Sequence, residues 1–172
     1  MNHIQKILPG LLLALAFATA QPVSAEVSST FSVKLMTPET ALLAARAALE
    51  NCRAQGFQVA VAVVDRFGTL QVFLRDRFAG AHTVGVASDK AWTAASFKIA
   101  TGELGLETLP GKPMGALRSH PRVLAAGGGQ VIESGGALIG GIGVSGAPGG
   151  DADDACARAG VRAITDILEL QG

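Results

Sequence analysis

The sequence predicts a mixed α/β domain in which helices cover an antiparallel sheet. Two pairs of short apolar segments, each joined by a tight turn, indicate two β-hairpins. Three segments with apolar or small residues at helical spacing surround these hairpins along the chain. Hairpins favour antiparallel pairing, whereas parallel strands need a long crossover connection. The predicted fold class is therefore α/β, of the α+β kind.

The first 25 residues have the features of a secretory signal peptide. Lys6 supplies the positive start, residues 11–18 (LLLALAFA) are an apolar run too short to cross a bilayer, and residues 23–25 (VSA) are a small-residue cleavage site. The mature chain is expected to begin at Glu26 and to be periplasmic or secreted. We expect no membrane insertion once the signal is removed.

The mature chain is predicted to have an N-terminal extension over residues 26–36 and a single domain over residues 37–172. One of the 14 basic residues and none of the 14 acidic ones lies in the signal, which leaves 13 basic against 14 acidic residues. This balance, without a basic cluster, argues against a nucleic-acid partner. The whole chain is 49% hydrophobic and only 16% charged. We therefore expect a homo-oligomer that covers further apolar surface.

The first predicted helix runs from Thr37 to about residue 55. Thr37 suits the N-cap, Pro38 suits the first helical position, and Glu39 places a negative charge at the positive end of the helix dipole. Gly56 is expected to end the helix. One face carries apolar or small residues at helical spacing: Leu42, Ala45, Leu49 and Cys52.

The first predicted hairpin has strands over residues 58–65 and 69–75, joined by the turn Arg66-Phe67-Gly68. The first strand (QVAVAVVD) is apolar on both faces, so we expect it to be buried on both. The second strand (TLQVFLR) alternates between two faces.

The second predicted helix covers residues 81–100 and is rich in alanine. Lys90 lies among apolar neighbours in this helix and has two interpretations. It either extends to solvent from the helix margin or holds an ammonium at a pocket for a carboxylate-bearing ligand. Trp92, the only tryptophan, is expected in the core. Residues 101–122, with three prolines and four glycines, are predicted to be an irregular functional loop or interface arm.

Eleven of the 22 glycines lie between Gly127 and Gly150. This density indicates positions that need a positive φ or a close approach of backbone. Within it we predict strands over residues 130–133 and 137–145, joined by the turn Ser134-Gly135-Gly136. The last predicted helix covers residues 151–170.

Residues 141–146 (GIGVSG) match the G-x-G-x-x-G pattern of dinucleotide-binding proteins. In those proteins a helix begins at the third glycine and holds the pyrophosphate at its N-terminus. Here four further residues intervene, and the helix then begins with Asp151, Asp153 and Asp154, which would repel phosphates. We therefore interpret the match as a glycine-rich strand packed against a helix.

Few residues of the mature chain are candidates for catalysis, metal binding or disulfide formation. Cys52 and Cys156 either pair in an oxidising compartment or are two buried thiols. The two histidines, His82 and His120, are not in a zinc-binding or hydrolase motif. Each histidine is either a surface or capping residue or the single axial ligand of a haem-like cofactor.

Four stretches resemble the GlcG/HbpS-like family, which includes the C-terminal domain of PduO-type corrinoid adenosyltransferases. They are residues 61–70 (VAVVDRFGTL), 89–97 (DKAWTAASF), 127–132 (GGGQVI) and 140–160 (GGIGVSGAPGGDADDACARAG). The resemblance spans about residues 36–170. It implies a profilin-like sandwich, with an antiparallel sheet of about five strands flanked by helices, that forms oligomers. It also implies a small-ligand site, with haem as the ligand of several members.

The family often has R-x-D-G-A after the second strand, where this chain has residues 75–82 (RDRFAGAH). Our first hypothesis is an exported binding protein for haem or a similar planar cofactor that carries carboxylates. His82 is the candidate iron ligand. The other candidate residues are Arg75, Lys90, Thr93, Gly127, Gly128 and Gly129. We expect the pocket between this glycine triplet and the second helix, so that loss of Lys90 would weaken an anionic ligand and leave the fold intact.

Two alternatives remain open. One is an accessory enzyme or subunit in the metabolism of small hydroxy- or oxo-acids, as in glycolate utilisation, with Lys90 and Asp65 in acid–base roles and no haem. The other is a structural subunit of a periplasmic dehydrogenase complex without a ligand of its own.

Overall fold

Helical segments alternate with two β-hairpins along the chain. The computed structural model describes residues 28–171, so the predicted signal peptide lies outside the described residues. Residues 28–32 contain no helix or strand, and the Ser28 hydroxyl donates a hydrogen bond to the Thr30 carbonyl. Residues from Val33 onward form a separate compact unit.

The second unit contains four α-helices, one 3-10 helix and four strands. The helices are α1 (Pro38–Ala54), α2 (Thr83–Phe97), α3 (Thr101–Glu107) and α4 (Gly150–Gln171), and the 3-10 helix spans Gly115–Ser119. The strands are β1 (Ala60–Asp65), β2 (Leu70–Arg75), β3 (Gly129–Ser134) and β4 (Ala137–Ser145). No helix among residues 28–171 combines the length and apolarity needed to cross a bilayer.

The three long helices and both hairpins are confirmed, but the prediction that residues 101–122 are irregular is wrong. This segment contains α3 and the 3-10 helix. The Arg118 side chain donates hydrogen bonds to the carbonyls of Gly105 and Thr108. It thereby satisfies carbonyls at the end of α3 that lack partners within the helix.

The sheet has the order β2-β1-β4-β3, and every neighbouring pair is antiparallel. β1 lies in the interior, and all six of its residues are buried, as the apolar pattern predicted. The described residues form four strands instead of the expected five or so. The predicted fold class, an antiparallel sheet flanked by helices, is confirmed.

One face of the sheet is covered by α1 and α4. Gly160 lets these two helices approach each other, because a Cβ there would lie 2.7 Å from the Ala44 carbonyl oxygen. Cys52 on α1 and Cys156 on α4 form a disulfide, with a Cα–Cα distance of 5.5 Å. The core on this face is formed by Val59, Val61, Val63, Ile132, Ile139, Ile142, Val144 and Ile164 together with alanines of α1.

The opposite face is covered by α2 through small residues on both sides. Ala87, Ala91 and Ala95 of α2 pack against β1, and β4 presents Gly141 and Gly143 to the helix. A Cβ on Gly141 would lie 2.6 Å from the Ala91 carbonyl oxygen, and one on Gly143 would collide with the Ala87 carbonyl. The glycine density therefore serves strand–helix packing, as the interpretation of residues 141–146 predicted.

The Gly143→Ala substitution tests this contact. We expect the added methyl group to push α2 from the sheet and to lower the free energy of unfolding by at least about 1–3 kcal/mol, measured by urea denaturation. Gly149→Ala is the control, since a Cβ at Gly149 meets nothing within 4 Å. Equal stability of the two variants would contradict the packing described.

Candidate functional site

The residues predicted for the site lie in two kinds of environment. Arg75 and His82 are exposed; Arg75 is the last residue of β2, and His82 immediately precedes α2. Lys90 and Thr93 are buried, and so are Gly128 and Gly129. The structure therefore separates the candidate residues into a surface group and an interior group.

The surface group lies on residues 75–84, which we call the β2–α2 segment. Asp76 anchors the segment: its buried carboxylate accepts hydrogen bonds from the Arg53 Nε at 2.8 Å and from the Val59 amide at 3.3 Å. The bond to Asp76 raises the pKa of the Arg53 guanidinium above its ordinary value. This anchor holds the following residues at a fixed place beside the end of β2.

His82 lies exposed at the N-terminus of α2. Its side chain does not cap the helix, and its ring forms no hydrogen bond with any described residue. The ring lies against Gly80, where a Cβ would be 2.6 Å from Cε1, 2.8 Å from Nδ1 and 3.8 Å from Nε2. Gly80 thus leaves room for the imidazole, and Nε2 is the nitrogen farther from this backbone.

Apolar and cationic groups accompany His82 on the β2–α2 segment. The Phe78 ring is 79% exposed, and Val84 is also exposed. The Arg75 guanidinium donates a hydrogen bond to the Ala79 carbonyl through one nitrogen, which leaves its other N–H groups for a ligand. The segment therefore presents an imidazole, an aromatic ring and a guanidinium at the protein surface.

His120 has a different environment. Its ring stacks on Trp92 with a centroid distance of 5.7 Å, and its Nδ1 accepts a hydrogen bond from the Arg122 amide at 3.3 Å. A backbone donor therefore occupies its Nδ1, and Trp92 covers one face of its ring. Trp92 is half-buried instead of fully buried, with the Arg122 guanidinium 4.5 Å from its ring centroid.

Lys90 is the centre of the interior group. Its ammonium lies 2.8 Å from the Asp153 carboxylate and 2.9 Å from the Val144 carbonyl, and the residue is 4% exposed. The interpretation as a lysine that extends to solvent is therefore wrong. Asp153 also accepts the Ala147 amide hydrogen at 3.0 Å, so this buried ion pair connects α2, β4 and α4.

The glycine triplet packs against this ion pair. Gly128 has a φ of +115°, and a Cβ there would lie 2.7 Å from the Lys90 Nζ. Its amide donates to the Asp154 carboxylate at 2.6 Å, which shows why acidic residues open α4. A Cβ on Gly127 would lie 2.7 Å from the Gly150 carbonyl oxygen. Protein atoms therefore fill the space in which we expected the pocket, so that location is corrected.

Thr93 and Thr101 attach the chain before β3 to the helices. The Thr93 hydroxyl donates to the Arg122 carbonyl at 3.1 Å and accepts the Leu124 amide hydrogen at 3.0 Å. The Thr101 hydroxyl accepts the Gly129 amide hydrogen at 2.8 Å. These contacts give the interior residues a structural role, and their part in ligand binding stays a prediction.

Asp65 and Lys90, the pair assigned to acid–base chemistry, do not meet. The Asp65 carboxylate accepts hydrogen bonds from the Phe67 amide, the Thr69 amide and the Gln71 side chain, and so closes the β1–β2 turn. Lys90 binds the carbonyl of Val144, whose partner on β1 is Val61. Val61 and Asp65 are four residues apart on β1, which corresponds to about 13 Å along the strand. The structure therefore offers no acid–base pair from these two residues.

Sequence reasoning missed two adjoining cavities, which share Lys34 and Ser134 as lining residues. The inner cavity, of about 280 Å³, is lined by Lys34, Leu35, Thr37, Thr40, Ser134, Ile139, Ile167 and Leu168. The outer cavity, of about 470 Å³, is lined by Lys34, Ser134, Gly135, Ala137 and Glu169. Three segments far apart in the chain form these walls, so no local pattern could have predicted them. No group of three or more potential metal ligands occurs in the described part of the chain.

A family model described as "Haem degrading protein HbpS-like" matches residues 36–162. This chain belongs to the HbpS-like family. The family resemblance inferred from the sequence is therefore confirmed.

Two solved structures of relatives resemble this HbpS-like chain over most of its length. A doubly substituted variant of Streptomyces reticuli HbpS is 40% identical, with a TM-score of 0.74 over 83% of this chain and 96% of that chain. The PduOC:heme complex is 34% identical, with a TM-score of 0.73 over 76% of this chain and 96% of that chain. Both matches agree with the mixed helix and antiparallel-sheet architecture of the HbpS-like chain.

Sequence relatives include the corrinoid adenosyltransferase PduO of Salmonella typhimurium, which is 40% identical over 103 residues. PduO of Citrobacter freundii is 37% identical over the same length. The match covers 59% of the HbpS-like chain but 31% of each relative, so the chain spans about a third of the length of these two PduO proteins.

Proposed function

We propose that this protein is an exported, oligomeric haem-binding protein, with His82 as the axial ligand of the iron. The observation that carries the proposal is the free imidazole of His82 on a surface segment that also presents Phe78 and Arg75. The membership in a family described as haem-degrading and the likeness to a haem complex support it.

The β2–α2 segment contains the types of residue that a haem site needs. A porphyrin needs an iron ligand, apolar contacts to its faces and cations for its propionates. His82 offers a nitrogen, Phe78 and Val84 offer apolar surface, and Arg75 offers free N–H groups. Neither cavity described above is lined by a histidine. The proposed site is therefore the open face of the β2–α2 segment.

Each residue has a distinct role in this proposal. His82 would hold the iron through a ring nitrogen, and Gly80 orients the imidazole by leaving it space on the backbone. Arg75 would pair with a propionate, since its planar fork matches a carboxylate. The bound haem would supply an iron centre whose reactivity its axial ligand and surroundings tune.

The open face is the reason to propose an oligomer. A haem held only by this segment would leave much of its apolar surface in water, whereas cofactor sites bury most of the ligand. A second copy placed over Phe78 would close the site and also cover the exposed ring. Export is supported by the Cys52–Cys156 disulfide, because disulfides persist mainly in oxidising compartments.

Hemin titration of the mature protein, followed through the Soret band, tests this proposal. We expect His82→Ala to weaken hemin binding by at least about tenfold, since the iron loses its protein ligand. His120→Ala is the matched control and should bind as the unchanged protein does. Gly80→Ala should shift the Soret maximum without removing the imidazole, because the new Cβ displaces the ring.

The same samples should be measured by light scattering. We expect the hemin-bound protein to be larger than a single chain. Equal hemin affinity and equal Soret maxima for His82→Ala, His120→Ala and the unchanged protein would overturn the assignment of His82. A hemin-saturated monomer would overturn the closure of the site by a second copy.

A further inference from the structure

The two adjoining cavities near Lys34 form a second site, and their lining residues are not those proposed for haem binding. We propose that they bind a free α-amino acid with an apolar side chain, of which leucine is the type. The ammonium and carboxylate of the ligand would lie in the outer cavity, and its side chain would enter the inner cavity. This inference does not depend on the proposed haem function.

The inner cavity sets the size and polarity of the side chain. Its walls include Leu35, Ile139, Ile167 and Leu168, of which Ile139 is buried. A volume of about 280 Å³ is below the range of about 300–1,000 Å³ that suits drug-sized molecules and cofactors. The compartment therefore suits a small apolar group.

The outer cavity sets the charges of the ligand. Lys34, which precedes α1, and Glu169 of α4 both line it, and both side chains are exposed. Neither forms an ion pair with any described residue. Each is thus free to pair with an opposite charge, and a ligand that carries both charges matches both residues.

The helices reinforce this polarity. Thr37, the N-cap of α1, and Thr40 in its first turn line the inner cavity together with Lys34, and the last turn of α4 carries Glu169. The N-terminus of a helix favours negative charge, and its C-terminus favours positive charge. The ligand carboxylate is therefore expected on the Lys34 side and the ligand ammonium on the Glu169 side.

The Ser134 hydroxyl lines both cavities, and the hydroxyls of Thr37 and Thr40 line the inner one. The Ser134 hydroxyl donates to the Leu168 carbonyl at 2.9 Å and keeps its lone pairs for an ammonium donor. Thr37 and Thr40 pair with each other at 3.1 Å. These groups allow a polar head to be hydrogen-bonded where the apolar walls begin.

Calorimetric titration with four matched probes tests the proposal. The probes are L-leucine, isocaproate (leucine without its amino group), isoamylamine (leucine without its carboxylate) and glycine. We expect L-leucine to bind with a dissociation constant of about 1 mM or lower, as the ligand's few heavy atoms allow. Each of the other three probes should bind at least about tenfold more weakly.

Charge-neutral variants assign the ends of the ligand. Lys34→Gln and Glu169→Gln should each weaken L-leucine by about tenfold, and Glu169→Gln should also remove the preference for L-leucine over isocaproate. Lys112→Gln and Glu107→Gln delete the same charges at other exposed positions and should leave binding unchanged. Absence of L-leucine binding at about 10 mM, or isocaproate binding as tight as L-leucine, would overturn the proposal.

Discussion

Lys90→Met is expected to lower the free energy of unfolding by about 3–5 kcal/mol. The substitution leaves the Asp153 carboxylate buried without its 2.8 Å partner, and an unpaired charge in the interior costs far more than a lost surface contact. Urea denaturation followed by circular dichroism measures the effect. Lys112→Met, which removes an exposed lysine, is the control and should change stability by no more than about 0.5 kcal/mol.

The double variant Lys90→Met/Asp153→Leu separates a missing charge partner from lost packing. Removing both charges should recover most of the lost stability, because the penalty arises from the carboxylate left alone. If Lys90→Met were as stable as Lys112→Met, the ion pair would not lie in the interior. The structure thus reverses the expectation that loss of Lys90 leaves the fold intact.

The Cys52→Ala/Cys156→Ala variant is expected to be less stable than the oxidised protein by about 2–5 kcal/mol. The disulfide spans 104 residues, so its removal frees most of the unfolded chain from a covalent constraint. Denaturation with and without a thiol reductant measures this. The reductant should destabilise the unchanged protein and have no effect on the double variant.

Thiol titration supplies the check on the pairing itself. The oxidised protein, unfolded in denaturant, should show no reactive thiol, and the reduced protein should show both cysteines. Two reactive thiols in protein purified from an oxidising compartment would contradict the pairing of α1 with α4.

Local signals in the sequence were sufficient to predict most of the helices and strands. Thr37 and Pro38 marked the start of α1, and the Thr37 hydroxyl does accept the Thr40 amide hydrogen at 3.3 Å. The strand predicted over residues 137–145 agrees with β4 (Ala137–Ser145), because its apolar run is bounded by two glycine-rich turns. These features depend on neighbours in the chain, which a sequence displays directly.

Contacts between distant residues were not predictable in the same way. Lys90 and Asp153 are 63 residues apart in the chain, so the sequence displayed an isolated lysine in a small-residue helix. The glycine triplet was correctly interpreted as close backbone approach, but what approaches it is the protein itself. α3 was missed because Gly102 and Gly105 weaken helix propensity, whereas Arg118 binds its end from outside the helix.

The contact of α2 with β4 limits which substitutions this fold tolerates. In an ordinary core, a larger side chain on one element can be matched by a smaller one on its neighbour at constant volume. At Gly141 and Gly143 the neighbouring atoms are carbonyl oxygens of Ala91 and Ala87, and no substitution can shorten a carbonyl. Descendants of this protein can therefore exchange aliphatic residues beneath α1 and α4, while these two positions must keep glycine for as long as the helix keeps its place.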